Sequence, residues 1–179
     1  MIELRYLLRL WRLLLLAVPL LFFLPPAMSQ ELTEFQIKAA FLYNFITYTE
    51  WPVETGSDLN LCVYGDDPFG ELLDAVQGRA VGTRELSVHS IDELDRVQDC
   101  QVVFIAGSGR DDLQSVLGTT NGRPVLTVAD TPGAIHRGVM LNMKMRDGRV
   151  TFEANLGAAR INGLRISSKL LQLATEVVQ

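Results

Sequence analysis

Three short and almost uninterrupted apolar runs lie in the middle of the chain, at residues 59–64, 101–106 and 124–129. Apolar runs of about four to eight residues between turn residues are typical of strands that are buried on both faces of a sheet. A fourth, more polar candidate strand lies at residues 83–89. Segments with helical or turn patterns separate these strands, and such an alternation indicates an α/β fold with a mostly parallel sheet between two layers of helices.

Helical spacing and capping residues predict the helices of this fold. They are expected at residues 31–49, at 68–78, in a short segment that follows Ser90, at 110–117, at 158–161 and at 167–178. In the first helix, Thr33 and Gln36 have the spacing of a capping box. In the third helix, Ser90 is the expected N-cap and Glu93 completes the same kind of box.

The carboxyl-terminal part changes from alternation to a hairpin pattern. Two candidate strands at residues 139–145 and 149–154, joined by Asp147-Gly148, predict an antiparallel hairpin. No repeat or linker interrupts the pattern. The sequence therefore predicts a single-domain three-layer α/β sandwich over residues 30–179, with a mixed, mostly parallel sheet and a C-terminal antiparallel hairpin.

The first 29 residues have the three parts of a secretory signal peptide. Three arginines come first, twelve uncharged residues follow, and small residues flank the candidate cleavage site: Arg5, Arg9, Arg12, residues 13–24, Ala27 and Ser29. The alternative is an uncleaved membrane anchor, but these twelve residues are too few for a helix to cross about 30 Å of hydrocarbon. We therefore predict a signal peptide over residues 1–29, cleavage after Ser29, and an exported domain over residues 30–179.

The charge of the chain argues against one class of partner. The sequence has 16 Lys and Arg residues, 21 Asp and Glu residues and a formal net charge of -5. Domains that bind nucleic acid usually carry a basic face, so no nucleic acid is predicted as a partner.

The chain has two cysteines, Cys62 and Cys100. An even number of cysteines in an exported protein favours a disulfide. A doubly wound strand order would also place the first and third predicted strands side by side, within bonding reach. The alternative is a pair of unbridged cysteines that fill the core as small apolar residues.

No arrangement of residues in the sequence is typical of an enzyme active site. Gly107-Ser108-Gly109 follows a strand, but the Gly-Lys-Ser/Thr of a phosphate loop is absent, and a left-handed glycine turn is the simpler interpretation. His89 and His136 are far apart and have no neighbours at metal-ligand spacing. Asp66-Asp67 lies among glycine and proline residues and is interpreted first as a turn. The sequence therefore predicts no catalytic residues, no metal and no cofactor, and favours a binding or regulatory protein over an enzyme.

Two features near the hairpin suggest a role beyond the scaffold. Glu153 and Asn155 end the second hairpin strand, where they could contact a partner. The alternative is that Glu153 faces solvent and Asn155 caps the following helix. Met140, Met143 and Met145 fall around the first hairpin strand, with Met140 out of phase with the other two. An exposed methionine edge could bind a partner, and core filling is the simpler alternative.

Six segments, which together span nearly the whole exported domain, carry a family resemblance. They are FQIKAAFLYNF at residues 35–45, EWP at 50–52, LCVYGDDPFG at 61–70, PVLTVAD at 124–130, VTFEANL at 150–156 and GLRISSKLL at 163–171. In this order they resemble the YfiR family of periplasmic proteins.

This resemblance implies a regulator without enzymatic activity. Proteins of the YfiR type bind the periplasmic sensor domain of an inner-membrane diguanylate cyclase and repress it, which lowers cyclic-di-GMP and biofilm formation. They are dimers, and they are tuned by periplasmic redox state and by an outer-membrane lipoprotein. We expect the same periplasmic location and role here. The alternatives are a periplasmic small-molecule-binding adaptor for another membrane sensor kinase or transporter, and an exported hydrolase that uses Asp66, Asp67 or Ser108.

The resemblance also implies roles for particular residues. Cys62 and Cys100 match the family's stabilising disulfide, and Glu153 matches an acidic residue of its partner-binding patch. The remaining expected positions are Leu141, Ala159 and Val177 for the partner, and Arg165 and Ser167 for a small ligand. A second family disulfide has no counterpart, because Ile135 and Asn142 stand near its positions. If the chain has this role, deletion of the protein should raise cyclic-di-GMP, and Glu153→Lys should mimic deletion and leave the fold intact.

Overall fold

The structure, a computed structural model, describes residues 33–52 and 57–179. The predicted signal peptide, residues 1–29, lies outside the described residues. From Leu32 to Gln179 the chain forms one structural unit. Within the described ranges, no helix has the length and apolar character that a membrane crossing requires.

The described residues form ten strands and four α-helices. The strands are β1 (Thr49–Glu50), β2 (Asp58–Tyr64), β3 (Ala80–Val81), β4 (Arg84–Ile91), β5 (Val102–Ile105), β6 (Leu126–Ala129), β7 (Leu141–Arg146), β8 (Arg149–Asn155), β9 (Arg165–Ile166) and β10 (Glu176–Val178). The helices are α1 (Glu34–Thr47), α2 (Leu113–Thr120), α3 (Leu156–Ile161) and α4 (Ser168–Leu171). Short 3₁₀ turns lie at Gly70–Leu73, Leu94–Asp99, Gly107–Gly109 and Ala134–Arg137.

Eight of the strands form one mixed sheet in the order β10-β8-β7-β6-β5-β2-β4-β3. The five strands that lie side by side in the order β4-β2-β5-β6-β7 are all parallel, and β10 is parallel to β8. β3 is antiparallel to β4, and β8 is antiparallel to β7. The expected pairing of the first and third predicted strands, β2 and β5, is confirmed. The other two strands, β1 and β9, form a separate antiparallel pair.

The central strands are buried on both faces and separate two apolar cores. Alternate residues of β2 show this arrangement, because Leu61 and Val63 lie in the core beneath α1, and Cys62 and Tyr64 lie in the other core. The second core is closed by α2. The predicted three-layer α/β sandwich with its mixed, mostly parallel sheet is therefore confirmed.

A buried lysine fastens α1 to the sheet. Lys38 Nζ lies 2.7 Å from Asp130 Oδ2, just after β6, and 2.6 Å from Glu34 Oε1 on the same helix. Burial alone would lower the pKa of Lys38, but the hydrogen bonds to both carboxylates and their negative charges outweigh it, so the pKa is raised. The ammonium group thus stays charged and holds the helix at the carboxyl end of β6.

Several local predictions are confirmed. The Thr33 N–H donates to Gln36 Oε1 at 2.7 Å and the Gln36 N–H donates to Thr33 Oγ1 at 3.3 Å, so the capping box is complete. β7 and β8 form the predicted hairpin around Asp147-Gly148. Asn155 caps α3, because its Oδ1 accepts the Ala158 N–H at 2.8 Å.

Four predicted helices differ from the structure, three of them in the middle of the chain. Residues 68–78 contain only the 3₁₀ turn Gly70–Leu73. Ser90 does not cap a helix, because β4 continues to Ile91 and pairs with β2 along its length, which keeps the backbone extended. The helix predicted at residues 110–117 is shifted toward the carboxyl end, where α2 forms.

The largest error concerns the last predicted helix, residues 167–178. The helix α4 ends at Leu171, and Glu176–Val178 form the edge strand β10. The Thr175 N–H and Oγ1 both donate to Phe152 O, at 2.8 and 3.0 Å, and align the chain with β8. Pairing with a strand that is distant in sequence therefore overrides the helical spacing of the apolar residues.

Candidate functional site

Glu153 lies on β8 and is almost completely buried, with 6% of its surface exposed. Its neighbours Phe152 and Ala154 point into the core beneath α1, so Glu153 points to the opposite face of the sheet. There Lys144 Nζ forms an ion pair with Glu153 Oε1, and Asn142 Nδ2 donates to Glu153 Oε2 at 3.2 Å. The interpretation that Glu153 simply faces solvent is therefore wrong.

The surroundings of Glu153 keep its carboxyl group ionised. Burial alone would raise the pKa of Glu153, but the hydrogen bonds from Lys144 and Asn142 and the charges of Lys144 and His136 outweigh it, so the pKa is lowered. Both carboxylate oxygens accept a hydrogen bond from a fixed side chain. Glu153 is thus a satisfied buried anion at neutral pH.

The edge strand β10 pairs with the part of β8 that contains Glu153. Glu176 of β10 is in register with Glu153, so the two carboxylates are neighbours on one face of the sheet. On the adjacent 3₁₀ turn, His136 Nε2 lies 3.5 Å from Glu176 Oε1. Each of the two neighbouring carboxylates therefore has a basic side chain beside it, Lys144 for Glu153 and His136 for Glu176.

The four expected partner-binding residues lie in one corner of the domain. Pairing aligns Leu141 of β7 with Ala154 of β8, and Ala154 with Val177 of β10, while Glu153 is the adjacent residue of β8. Ala159 lies on α3, which packs against β10. Leu141 and Ala159 are 0% and 1% exposed, whereas Val177 is 39% exposed. Among the four, Val177 alone offers accessible surface, and the partner role of all four stays a prediction.

The two residues expected at a small-ligand site lie elsewhere, in and after β9. Arg165 Nη2 and Nε donate to Glu50 Oε2 at 2.6 and 3.1 Å, across the pairing of β9 with β1. Ser167 Oγ accepts the Lys169 N–H at 3.3 Å and caps α4. Both side chains therefore have structural partners, and their ligand role stays a prediction.

Cys62 and Cys100 form the predicted disulfide, with their Cα atoms 6.0 Å apart. Cys62 lies in β2, and Cys100 follows the 3₁₀ turn that leads to β5, the neighbour of β2. Both side chains are buried, and α2 packs against the same turn. The bridge therefore ties the centre of the sheet to the layer that contains α2.

The residues considered for a hydrolase serve as turn residues at the carboxyl ends of β2 and β5. Ser108 Oγ accepts the Asp66 N–H at 2.8 Å, and Asp67 Oδ1 accepts the Phe69 N–H at 2.8 Å. In doubly wound folds the crevice at the carboxyl ends of the parallel strands is the usual ligand site. Here the hydrogen bond between Asp66 and Ser108 joins the turn after β2 to the turn after β5 across this crevice.

The glycines beside this crevice allow close packing. Gly107–Gly109 form a 3₁₀ turn whose φ angles are not positive, so the predicted left-handed turn is wrong. A Cβ atom on Gly109 would lie 2.8 Å from the Tyr64 ring, and one on Gly65 would lie 2.7 Å from Ser108 Oγ.

In the described ranges, no group of three or more His, Cys, Asp or Glu residues is placed to hold a metal ion.

The methionines do not form an exposed edge. Met140 and Met143 are buried, because both lie in the core beneath α1. Met145, at the outer end of β7, is 46% exposed. Core filling is therefore the correct interpretation for Met140 and Met143.

A groove of about 350 Å³ lies between α2, the 3₁₀ turn Ala134–Arg137 and α3. Its lining combines apolar, amide and cationic side chains, which include Leu117, Met140, Ile161, Gln114, Arg137 and Asn162. Asn162 Oδ1 is buried in this region and accepts no hydrogen bond within the described structure. The sequence did not reveal this groove, because its walls come from segments that are distant along the chain.

The chain is therefore an α/β domain with one disulfide. Near Glu153, its acidic side chains form ion pairs with basic side chains of the same domain. The model of the YfiR/HmsC-like family matches residues 35–175, and the chain belongs to this family. The family suggests a periplasmic regulator of diguanylate cyclase signalling, and it is a regulatory family rather than a catalytic one.

A solved structure shows a similar fold. It is the crystal structure of a conserved domain protein from Vibrio cholerae O1 biovar El Tor, with a TM-score of 0.54 and 11% sequence identity. The alignment covers 82% of this chain and 60% of that chain, so the present chain spans about 60% of the length of that protein. At this identity the similarity concerns the fold alone.

Proposed function

We propose that this protein is a periplasmic repressor that binds the periplasmic sensor domain of an inner-membrane diguanylate cyclase. Repression lowers cyclic-di-GMP and, with it, biofilm formation. The family match over residues 35–175 carries this proposal. Two further features support it. The pattern of residues 1–29 is typical of an exported protein, and the Cys62–Cys100 disulfide suits an oxidising compartment.

The corner formed by β7, β8, β10 and α3 is the proposed partner-binding region. Val177 presents apolar surface there, while Leu141, Ala159 and Glu153 lie beneath the surface. In this proposal Val177 contacts the partner directly, and the three buried residues hold the strands and the helix that shape the surface.

Repression requires a difference in affinity between two forms of the cyclase. The protein shifts the cyclase toward its inactive form only if it binds that form more tightly. A shift from 99:1 active to 1:99 requires about 5.5 kcal/mol of differential binding free energy. A few well-packed side chains in a desolvated contact can supply a difference of this size.

The first test is genetic and biochemical. Deletion of the gene should raise cyclic-di-GMP, and a crosslinked pull-down of the tagged protein from intact cells should recover a membrane protein with a GGDEF output domain. Val177→Asp should reduce that recovery. Tyr48→Asp, at a residue that is 41% exposed next to β1, is the matched control and should not. Unchanged cyclic-di-GMP after deletion would sink the proposal.

The family also suggests how repression is regulated. We propose that the protein acts as a homodimer and that an outer-membrane lipoprotein relieves repression. Redox state would act through the Cys62–Cys100 bridge alone, because Ile135 and Asn142 stand near the positions of the family's second disulfide. Light scattering of the purified domain tests the dimer, and a mass equal to one chain at micromolar concentration would refute it.

A second candidate function is a periplasmic small-molecule-binding adaptor for another membrane sensor kinase or transporter. The groove between α2 and α3 favours it, because apolar side chains line it together with the cation of Arg137. A thermal-shift screen with small carboxylic acids tests this candidate. A rise in melting temperature that is lost in Arg137→Ala would support it, and a screen without any shift would exclude this class of ligand.

A further inference from the structure

The hairpin of β7 and β8 projects beyond its neighbours in the sheet. β6 pairs with β7 only at Leu141 and Asn142, and β10 pairs with β8 only from Glu153 onward. Residues 143–151 therefore form a two-stranded arm. Its outer part, residues 144–149, is here named the hairpin tip.

The hairpin tip is basic, although the whole chain has more acids than bases. It carries Lys144, Arg146 and Arg149 against one acid, Asp147, whereas the chain has 16 bases and 21 acids. The alternation of side chains places Lys144 and Arg146 on the same face of the sheet as Glu153. Register places Arg146 directly opposite Arg149. Three cations are therefore gathered at one end of this face.

The charges of the hairpin tip are only partly compensated within the domain. Like charges that face each other across an antiparallel pair destabilise the pair, as Arg146 and Arg149 do. Arg146 Nε lies 3.9 Å from Asp147 Oδ2, but the two side chains are 66% and 93% exposed, so this ion pair is weak. Lys144 is paired with Glu153. Arg146 and Arg149 thus keep positive charge that carboxylates from outside can neutralise.

We propose that the hairpin tip docks onto an acidic surface of the membrane sensor domain, where Arg146 and Arg149 bind carboxylates. This inference rests on the proposed function and specifies the chemistry of the contact. Guanidinium groups bind carboxylates through two parallel hydrogen bonds, and this geometry favours Arg at such contacts. The neighbouring Met145 adds exposed, adaptable apolar surface. Lys144, held in place by Glu153, adds a third cation.

The test measures association rates between two purified proteins. The partner is the periplasmic domain of the cyclase that the crosslinking experiment recovers, and rates are recorded by biolayer interferometry at two salt concentrations. Arg146→Glu and Arg149→Glu should each lower the association rate constant about tenfold at low salt. The wild-type rate should fall as salt is raised, and the variant rates should fall less.

Arg110→Glu is the matched control. The Arg110 side chain is 68% exposed and its Nε lies 3.7 Å from the adjacent Asp111, so its local setting resembles that of Arg146. Arg110 lies outside the hairpin tip, so the association rate of the Arg110→Glu variant should equal the wild-type rate. Urea midpoints of Arg110→Glu, Arg146→Glu and Arg149→Glu that are no lower than the wild-type midpoint show that no loss arises from unfolding.

The outcomes separate the two proposals. If the wild type binds the sensor domain and the tip variants bind equally fast, the docking inference is overturned while the proposed function stands. If the wild type does not bind, both fall. If the wild type sediments with phosphatidylglycerol vesicles, Arg146→Glu does not, and their rates on the sensor domain are equal, the tip contacts lipid and the inference is overturned.

Discussion

The substitution Glu153→Lys should weaken the whole domain rather than only remove a partner contact. Glu153 is 6% exposed, and its carboxylate is bound by Lys144 and Asn142. A lysine at this position would place a second ammonium group against Lys144 and leave the Asn142 amide without its acceptor. The structure therefore changes the expectation, drawn from the family resemblance, that this substitution leaves the fold intact.

The size of the loss follows from burial. Breaking a buried ion pair by removing one partner costs about 3–5 kcal/mol. The Lys144 side chain is 36% exposed, so water screens part of the repulsion and a value near the lower end, about 3 kcal/mol, is expected. The lost hydrogen bond from Asn142 adds about 1 kcal/mol. For a domain of this size, a loss of about 3–4 kcal/mol lowers the melting temperature by roughly 6–16 °C.

The assay is urea unfolding at neutral pH, followed by circular dichroism. Glu153→Gln is the matched control, since it removes the negative charge but keeps the shape and one acceptor. It should cost less than Glu153→Lys, because it brings no second ammonium group against Lys144. The charge swap Lys144→Glu with Glu153→Lys should recover part of the loss. If Glu153→Lys unfolds at the wild-type urea concentration, the carboxylate is not buried against Lys144 in solution, and the reasoning is refuted.

Three further predictions concern stability. The pKa of Glu153 is lowered from 4.5, so its contribution is present above about pH 4.5 and is lost as pH falls through the folded-state pKa. Calorimetry across this range should show a smaller acid loss in Glu153→Gln than in the wild type. Replacing Cys62 and Cys100 by Ala should cost about 4 kcal/mol in urea unfolding, because the bridge spans 38 residues, and a loss below about 1 kcal/mol would contradict the cross-link argument. Lys38→Met should cost about 2–4 kcal/mol in the same assay, since it leaves the Asp130 carboxylate without its cation, and Asp130→Asn in that background should restore part of the loss.

The central sheet could be predicted because its strands are buried on both faces. Such strands have no solvent-facing positions to obscure the pattern, and all four residues of β5 and of β6 are buried. The edge strand β10 could not be predicted in the same way. Val177 and Val178 fit the apolar face of a helix as well as a strand, and only pairing with β8 selects the strand.

The contacts of Glu153 could be predicted in part from the sequence. A hairpin that turns at Asp147-Gly148 places residue 142 opposite residue 153 and residue 144 opposite residue 151, as the structure confirms. Lys144 is then a diagonal neighbour of Glu153, close enough for an ion pair. The pairing of Glu153 with Glu176 could not be predicted, because the helical spacing of residues 167–178 concealed β10.

The residues that match the family's partner patch and the residues that offer surface are largely different sets. Leu141, Ala159 and Glu153 are buried, so under the proposed function substitutions there should act on partner binding through the stability and shape of the corner. Arg146 and Arg149 are exposed at the hairpin tip, and substitutions there should change the association rate without lowering the urea midpoint. Stability and association rate, measured on the same variants, therefore distinguish a residue that shapes the binding surface from one that contacts the partner.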